Sequence, residues 1–134
     1  MAALIKDRDT KERIARDFVI PTAASKTFFA GSLLCVDANG RGTPGATATT
    51  LKGLGRVKRR VVSSGVAGAE SVEYERGCFR FGNSADGDLI TRADIGATAY
   101  VVDDQTVAKT NGTNTRSPAG IIRDVDDLGV WIEF

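Results

Sequence analysis

The side chains of this sequence that could do chemistry are carboxylates and two cysteines, because the chain contains no histidine. Without histidine, a Ser–His or Cys–His nucleophile cannot be built. The acids at 124, 126 and 127 partly match the spacing of a calcium loop, but Leu128 stands where an oxygen ligand is required. We interpret these acids as hairpin-turn residues and expect neither catalysis nor a metal site.

A glycine-rich run formally matches the phosphate-binding pattern GxGxxG at Gly40, Gly42 and Gly45. That pattern works only where the last glycine opens a helix. Here Pro44 precedes the last glycine, and residues 46–50 are rich in threonine and typical of β structure. The run therefore predicts a loop, and we expect no nucleotide and no other cofactor.

The two cysteines, Cys35 and Cys78, lie in unrelated contexts, each inside an apolar or alternating run. No CxxC pair is present, so a zinc site is not indicated. We expect two buried, reduced thiols, as is usual in a reducing compartment. Whether the two cysteines ever pair stays open at this point.

Length and charge favour one soluble domain without a polyanionic partner. The 134 residues carry 18 basic and 17 acidic side chains, a net charge of +1, and a dedicated nucleic-acid binder usually has a clearer basic excess. No apolar run approaches the ~20 residues of a membrane span. The charged start is unlike a signal peptide, so we expect synthesis in the cytoplasm and no membrane partner.

Residues 1–17 differ from the rest of the chain, with nine charges and few apolar side chains. Acid-before-base pairs recur there at helical i,i+4 spacing, but the apolar residues form no continuous stripe. We interpret this segment as an N-terminal arm that orders on a partner. A solvated tail and one or two helical turns remain open alternatives. Leu4, Ile5, Arg8 and Phe18 are its candidate contact residues.

The basic residues between 52 and 60 form a second candidate contact surface. On a continuous strand, Arg56, Lys58 and Arg60 would share one face, with Val57 and Val61 on the other. A solvated sheet face and a contact with an acidic protein surface both fit this pattern. A nucleic-acid partner fits less well, because no aromatic residues lie between the basic residues of this stretch.

From residue 18 onward, short alternating runs separated by turn residues predict an all-β domain over 18–134. Residues 98–102 and 106–109 flank one predicted hairpin turn, and residues 119–125 and 130–134 flank another. Residues 71–81 alternate as one strand, with a bulge expected at Gly77. Residues 43–50 are expected to form a loop, and residues 51–63 a longer strand. The spacing favours a small β-barrel or a β-sandwich.

The C-terminal third resembles bacteriophage capsid cement (decoration) proteins. The resemblance is carried by residues 97–110 and 119–134, where a strand, an acidic turn and a "value" strand precede a terminal hairpin, and by residues 76–81, a "G-x-F-x-F" strand. It implies a β-barrel or sandwich that oligomerises, as a dimer or trimer, on the outer capsid surface of the virion. It implies no cofactor and no catalysis.

The residues and the resemblance together lead to one hypothesis and one alternative. The hypothesis is a decoration protein that binds the assembled, expanded capsid and bridges neighbouring major capsid proteins. Its expected contact residues are Leu4, Ile5, Arg8, Phe18, Arg56, Lys58 and Arg60. The alternative is a small-barrel module for single-stranded nucleic acid, in which Tyr74, Phe79 and Phe81 beside the basic stretch would stack on bases.

Overall fold

The computed structural model describes residues 2–134 and confirms the predicted all-β fold. Strands account for all regular structure except two short 3-10 turns, at Asp86–Asp88 and Arg92–Asp94. The strands are β1 (Asp17–Pro21), β2 (Thr27–Phe28), β3 (Leu33–Val36), β4 (Gly42–Pro44), β5 (Lys52–Val57), β6 (Val61–Val62), β7 (Ser71–Glu75), β8 (Cys78–Phe81), β9 (Thr98–Val101), β10 (Val107–Ala108), β11 (Pro118–Asp126) and β12 (Gly129–Glu133).

Two five-stranded sheets and one ribbon make up the body. The first sheet has the order β1-β7-β5-β3-β4, the second has the order β10-β9-β11-β12-β8, and β2 pairs with β6. All of these strand pairs are antiparallel. The sheets do not close into a barrel, and their arrangement is sandwich-like. We name the first sheet the N-terminal layer and the second the C-terminal layer, because each is built from one half of the chain.

The main core contains apolar side chains from both layers. Along β3, Leu33 and Cys35 point into this core, whereas Leu34 points to the opposite face of the N-terminal layer. This alternation is the expected period of two for a strand buried on both faces. The buried members of the main core are Leu33, Cys35, Leu51, Phe81, Ile90, Ala99, Val101, Val107, Ala119, Ile122, Val130 and Ile132.

A second, smaller core lies on the opposite face of the N-terminal layer. Phe28, which belongs to the β2–β6 ribbon, is buried there against Leu34, Val57, Val72 and Tyr74. Each large side chain removed from water at such a site contributes roughly 1.5–3 kcal/mol. The ribbon therefore acts as a cover that lets both faces of the N-terminal layer exclude water.

The two layers approach each other closely at Gly53 of β5. A Cβ atom at this position would lie 2.1 Å from the carbonyl oxygen of Ala119 in β11. That distance is far below van der Waals contact, so the crossing requires a residue without a side chain. Gly53 is thus fixed by the packing of one sheet on the other.

Both hairpins predicted for the last third are present. β9 pairs with β10 around residues 102–106, and β11 pairs with β12 around the turn that precedes Gly129. Val130 and Ile132 are buried on one face of β12, and Phe134, just after the strand, packs against the same core. The alternation predicted for the end of the chain is therefore confirmed.

Three local predictions in the first two-thirds are wrong. Residues 71–81 do not form one strand with a bulge, because the chain changes layer at Gly77 and divides into β7 and β8. Part of the expected loop at 43–50 is strand, since β4 pairs with β3. The expected long strand at 51–63 ends at Val57 and resumes only as the two-residue β6.

The arm, residues 2–16, has no helix or strand, and every residue in it is exposed. The two cysteines differ from each other: Cys35 is buried and Cys78 is exposed, and both are free thiols. The prediction of two buried thiols is therefore wrong for Cys78, which points outward from a strand at the sheet edge. No helix among residues 2–134 has the length and apolar character needed to cross a bilayer.

Candidate interaction surface

The root of the arm is fixed to the body by the carboxylate of Glu75, at the end of β7. Its oxygens accept hydrogen bonds from Arg16, at 2.8 Å, and from Arg56 of β5, at 3.4 Å. The Glu75 side chain is only 11% exposed. Two guanidinium groups compensate for its burial, as a buried charge requires.

The basic stretch does not form the continuous face that was predicted. β5 ends at Val57, so Lys58 and Arg60 lie beyond the strand that carries Arg56. Lys58 pairs with Asp17 of β1 at 3.3 Å, and Arg59 pairs with Glu73 of β7. The acids of β1 and β7 therefore neutralise much of this basic stretch, and its members point to different partners.

Arg60, like Lys52, forms no ion pair within residues 2–134, whereas Arg56, Lys58 and Arg59 each pair with an acid. Its guanidinium lies over the ring of Phe29, 5.2 Å from the centroid, and Phe29 is 51% exposed. Val62, on the neighbouring strand β6, is also exposed. An arginine over an aromatic ring beside an exposed valine is suited to contact with a protein surface.

Two of the predicted contact residues of the arm, Leu4 and Ile5, are strongly exposed apolar side chains. Leu4 is 70% exposed and Ile5 is 97% exposed, and Arg8, also exposed, forms no ion pair within the described chain. Ile14, which was not among the predicted contacts, is exposed as well. These apolar side chains lie in water on a segment that does not contact the core. Covering them with a partner surface would lower the free energy of the complex.

Phe18 belongs to β1 rather than to the free arm. Its ring stacks on Tyr74 with centroids 5.8 Å apart, and the guanidinium of Arg13 lies over its other side at 4.7 Å. Phe18 is half-buried, so only part of the ring is accessible to a partner. Its main contacts are with the smaller core, where it fixes the start of β1.

A groove follows β8, the edge strand of the C-terminal layer, and brings Phe79 and Phe81, two of the predicted stacking residues, beside Arg56. Arg56 lies over the ring of Phe79 at 4.2 Å, and Arg80 lies near the ring of Trp131 at 5.5 Å. Gly31, Cys78 and Phe81 complete the lining. The groove itself could not be predicted from a local sequence pattern, because it depends on the edge position of β8 in the strand order.

The acids that partly matched a calcium loop are held in turn hydrogen bonds. Asp126 accepts the indole N–H of Trp131 at 2.9 Å and the backbone N–H groups of Leu128 and Gly129. These bonds lower the pKa of Asp126, and the Trp131 bond has the largest effect. No group of three or more metal-ligating side chains occurs within residues 2–134.

Hydrogen bonds also lower the pKa values of two further acids. The pKa of Asp88 falls because of its bonds to Thr110 and Arg116, and that of Asp94 falls because of the backbone N–H of Thr91. Burial alone raises the pKa of Cys35 to about 12, so this thiol stays protonated at neutral pH. These shifts come from turn structure and core packing rather than from a cleft that gathers titratable groups.

Comparison with known proteins gives no match: no family model fits the chain, and no curated protein or solved structure is significantly similar to it. A functional assignment must therefore depend on the exposed surface and on the resemblance noted for the C-terminal third.

Proposed function

We propose that this protein is a phage capsid decoration protein, which binds the outer surface of the assembled capsid and bridges neighbouring major capsid proteins. The observation that carries the proposal is the arm. It has exposed apolar residues at Leu4 and Ile5, yet its root is fixed to the body by the Arg16–Glu75 ion pair. A free segment on a fixed base can bind one coat subunit while the body rests on another.

The reach of the arm supports the bridging role. The 15 residues from 2 to 16 span roughly 50 Å when fully extended. A folded body of this size has a radius of gyration of about 14 Å. The arm can therefore contact a coat subunit beyond the footprint of its own body, although ordering it costs conformational entropy.

The exposed side chains at the ribbon give the body its own contact surface. Arg60 over Phe29 provides a cation and an aromatic ring without a competing acid. Each contact is weak alone, but two contacts on one particle act at a high effective concentration. In this proposal the protein is made in the host cytoplasm and joins the virion after the capsid has assembled.

The alternative, binding to single-stranded nucleic acid, has less support. Tyr74 and Phe81 are buried, so neither can stack on a base without unfolding. Phe79 is covered on one side by Arg56. Within the basic stretch, Lys58 and Arg59 face acids of the same chain.

Quantitative co-sedimentation tests the proposal. Purified protein is mixed with expanded capsids and with procapsids of the major capsid protein encoded by the same genome, and the pelleted protein is measured against its concentration. We expect saturable binding to expanded capsids. We expect no salt-sensitive binding to a single-stranded oligonucleotide. Oligonucleotide binding without capsid binding would reverse the two hypotheses.

A matched pair of variants tests the role of the arm within the same assay. The double variant Leu4→Ser with Ile5→Ser removes the exposed apolar groups of the arm, and we expect at least tenfold weaker binding. Leu128→Ser is the control, because Leu128 is 74% exposed but lies in the β11–β12 turn. Equal binding by the two variants would exclude the arm from the interface.

A further inference from the structure

The outer edge of β8 has unpaired backbone groups. The N–H of Phe134 donates to the carbonyl of Gly77 at 2.8 Å, and the register continues with Phe79 opposite Ile132. In an antiparallel pair, alternate residues direct their N–H and C=O groups toward the partner strand. The backbone groups of Cys78 and Arg80 therefore point away from β12, where no strand of the described chain pairs with them.

The chain near residue 106 closes this edge just after β8, where the N–H of Gly82 donates to the carbonyl of Gln105 at 2.7 Å, so the open part of the edge is Cys78–Arg80. It forms one side of the groove that Arg56, Phe79 and Trp131 also line. An open edge with unpaired donors and acceptors, next to exposed aromatic surface, is a template for one more strand.

We propose that the N-terminal arm of a second copy adds to β8 as an antiparallel strand. The arm of the same copy is directed elsewhere: the chain bends at residues 15 and 16, and Arg13 lies over Phe18 on the β1 side. The backbone of Arg16 is also held, since its carbonyl accepts from the N–H of Arg76 at 2.7 Å. The edge of β8 is thus left open to an arm from outside.

The arm contains a segment whose side chains match this edge. An antiparallel register that places Ile14 opposite Cys78 also places Glu12 opposite Arg80, since both pairs are two residues apart on each strand. An apolar pair and a pair of opposite charges are favourable cross-strand neighbours. Arg80 would give up a long contact of 3.6 Å with Asp126 and its position 5.5 Å from the centre of the Trp131 ring.

Each copy carries one arm and one open edge, so the exchange can close a dimer or a small ring. Pairing through residues 12–14 leaves Leu4, Ile5 and Arg8 beyond the edge strand, free to contact another surface. The exchange takes place between purified copies and does not depend on capsid binding. A failure of self-association would therefore not contradict the decoration role. A failure to bind capsids would likewise not contradict the arm exchange.

Disulfide trapping tests the proposal in the full-length protein. In the variant Ile14→Cys, the new thiol would lie about 5.5 Å from Cys78 measured between Cα atoms, a distance that a disulfide spans. Cys35 is buried and takes no part. Under oxidised glutathione at pH 8.5, we expect Ile14→Cys to be converted fully to a covalent dimer. Over the same time, the Leu128→Cys control described below should form little dimer.

Two controls define that result. Ile14→Cys combined with Cys78→Ser should give no dimer through this pair, and Leu128→Cys, on an exposed turn outside the arm, measures collisional cross-linking to Cys78. An intrachain disulfide in Ile14→Cys would show that the arm closes on its own edge and would overturn the exchange. Dimer formation no faster than in Leu128→Cys would overturn it as well.

A second variant tests the backbone pairing without a cross-link. Arg80→Pro removes an N–H that points away from β12, so the β8–β12 ladder keeps its bonds. We expect this variant to raise the Kd of self-association about tenfold, the effect of losing one hydrogen bond. Arg80→Ala, which keeps the N–H, should change the Kd by only about twofold. Equal effects from the two variants would contradict strand addition.

Discussion

At the scale of single residues, Glu75 joins the arm to the body. Its carboxylate is almost fully buried between Arg16 and Arg56. Both arginines keep part of their surface in water. The carboxylate itself is poorly solvated, and its charge depends on these two partners.

Replacing Glu75 by Gln should therefore destabilise the protein by about 1–2 kcal/mol, because the amide keeps one acceptor oxygen, so one arginine hydrogen bond is lost and the other loses its charged acceptor. Urea unfolding measures the change in the free energy of unfolding. Glu73→Gln is the matched control: Glu73 pairs with Arg59 near the surface, and the loss should stay below about 0.5 kcal/mol. Equal losses for both variants would remove the special role of Glu75.

Asp126 gives stability a dependence on pH. Because hydrogen bonds lower its pKa below the ordinary value of 3.8 in the folded state, its contribution is present above that value. The contribution is lost as the pH falls through the lower pKa of the folded state. Trp131 is the only tryptophan, so its fluorescence reports the same titration.

We expect the Trp131 fluorescence of the folded protein to titrate below pH 3.8, and Asp126→Asn to abolish this step. Asp126→Asn should also flatten the acid-side fall in the free energy of unfolding. Asp127→Asn serves as the control, because Asp127 makes no hydrogen bond to Trp131. An unchanged fluorescence titration in Asp126→Asn would contradict the assignment.

At the scale of strands and sheets, β5 and β11 cross closely at Gly53. Gly53→Ala should destabilise the protein by about 2–3 kcal/mol, since the added methyl group meets the backbone of Ala119 rather than a movable side chain. Gly87→Ala is the control, because nothing lies within 4 Å of a Cβ there. Thermal unfolding distinguishes the two variants, and a neutral Gly53→Ala would show that the layers can separate locally.

Local patterns predicted those strands whose neighbours in sequence are also their neighbours in space. The hairpins β9–β10 and β11–β12 are of this kind, because one turn fixes each pairing. The sequence did not predict the change of layer at Gly77. A β-bulge within one strand and a corner between two sheets give the same sequence pattern, a glycine inside an alternating run. Telling them apart requires the strand order, which is set by long-range packing.

In the candidate site too, the sequence predicted the features that depend on local sequence and missed those that depend on long-range packing. The exposure of Leu4 and Ile5 follows from an arm without an apolar stripe, and the sequence was sufficient to indicate them. The basic stretch was misread because its acidic partners, Asp17 and Glu73, come from β1 and β7, which are far away in sequence. The groove along β8 exists only once the C-terminal layer has assembled.

At the scale of the whole molecule, the near-neutral total hides a separation of charge between the layers. Residues 2–76, which contain the arm and the N-terminal layer, carry 13 basic and 8 acidic side chains. Residues 77–134, which contain the C-terminal layer, carry 5 basic and 9 acidic side chains. Such a molecule has a strong dipole, which orients it as it approaches a charged surface.

If the arm and the N-terminal layer approach the coat, binding to capsids should be faster at low salt. We expect the association rate to fall several-fold between about 50 mM and about 500 mM NaCl, over which the Debye length shortens from about 14 Å to about 4 Å. The dissociation rate should change less, because it depends on apolar contacts. Surface-immobilised capsids allow both rates to be measured, and a dissociation rate that alone carries the salt effect would contradict this orientation.

The central claim, that the protein cements the assembled capsid, is tested most directly by heating DNA-filled capsids that lack it. DNA release is followed with an intercalating dye, with and without added protein at saturating concentration. The proposal predicts that added protein raises the temperature of DNA release, and that Leu4→Ser with Ile5→Ser raises it less than Leu128→Ser does. Release at the same temperature with and without saturating protein would contradict the cement role.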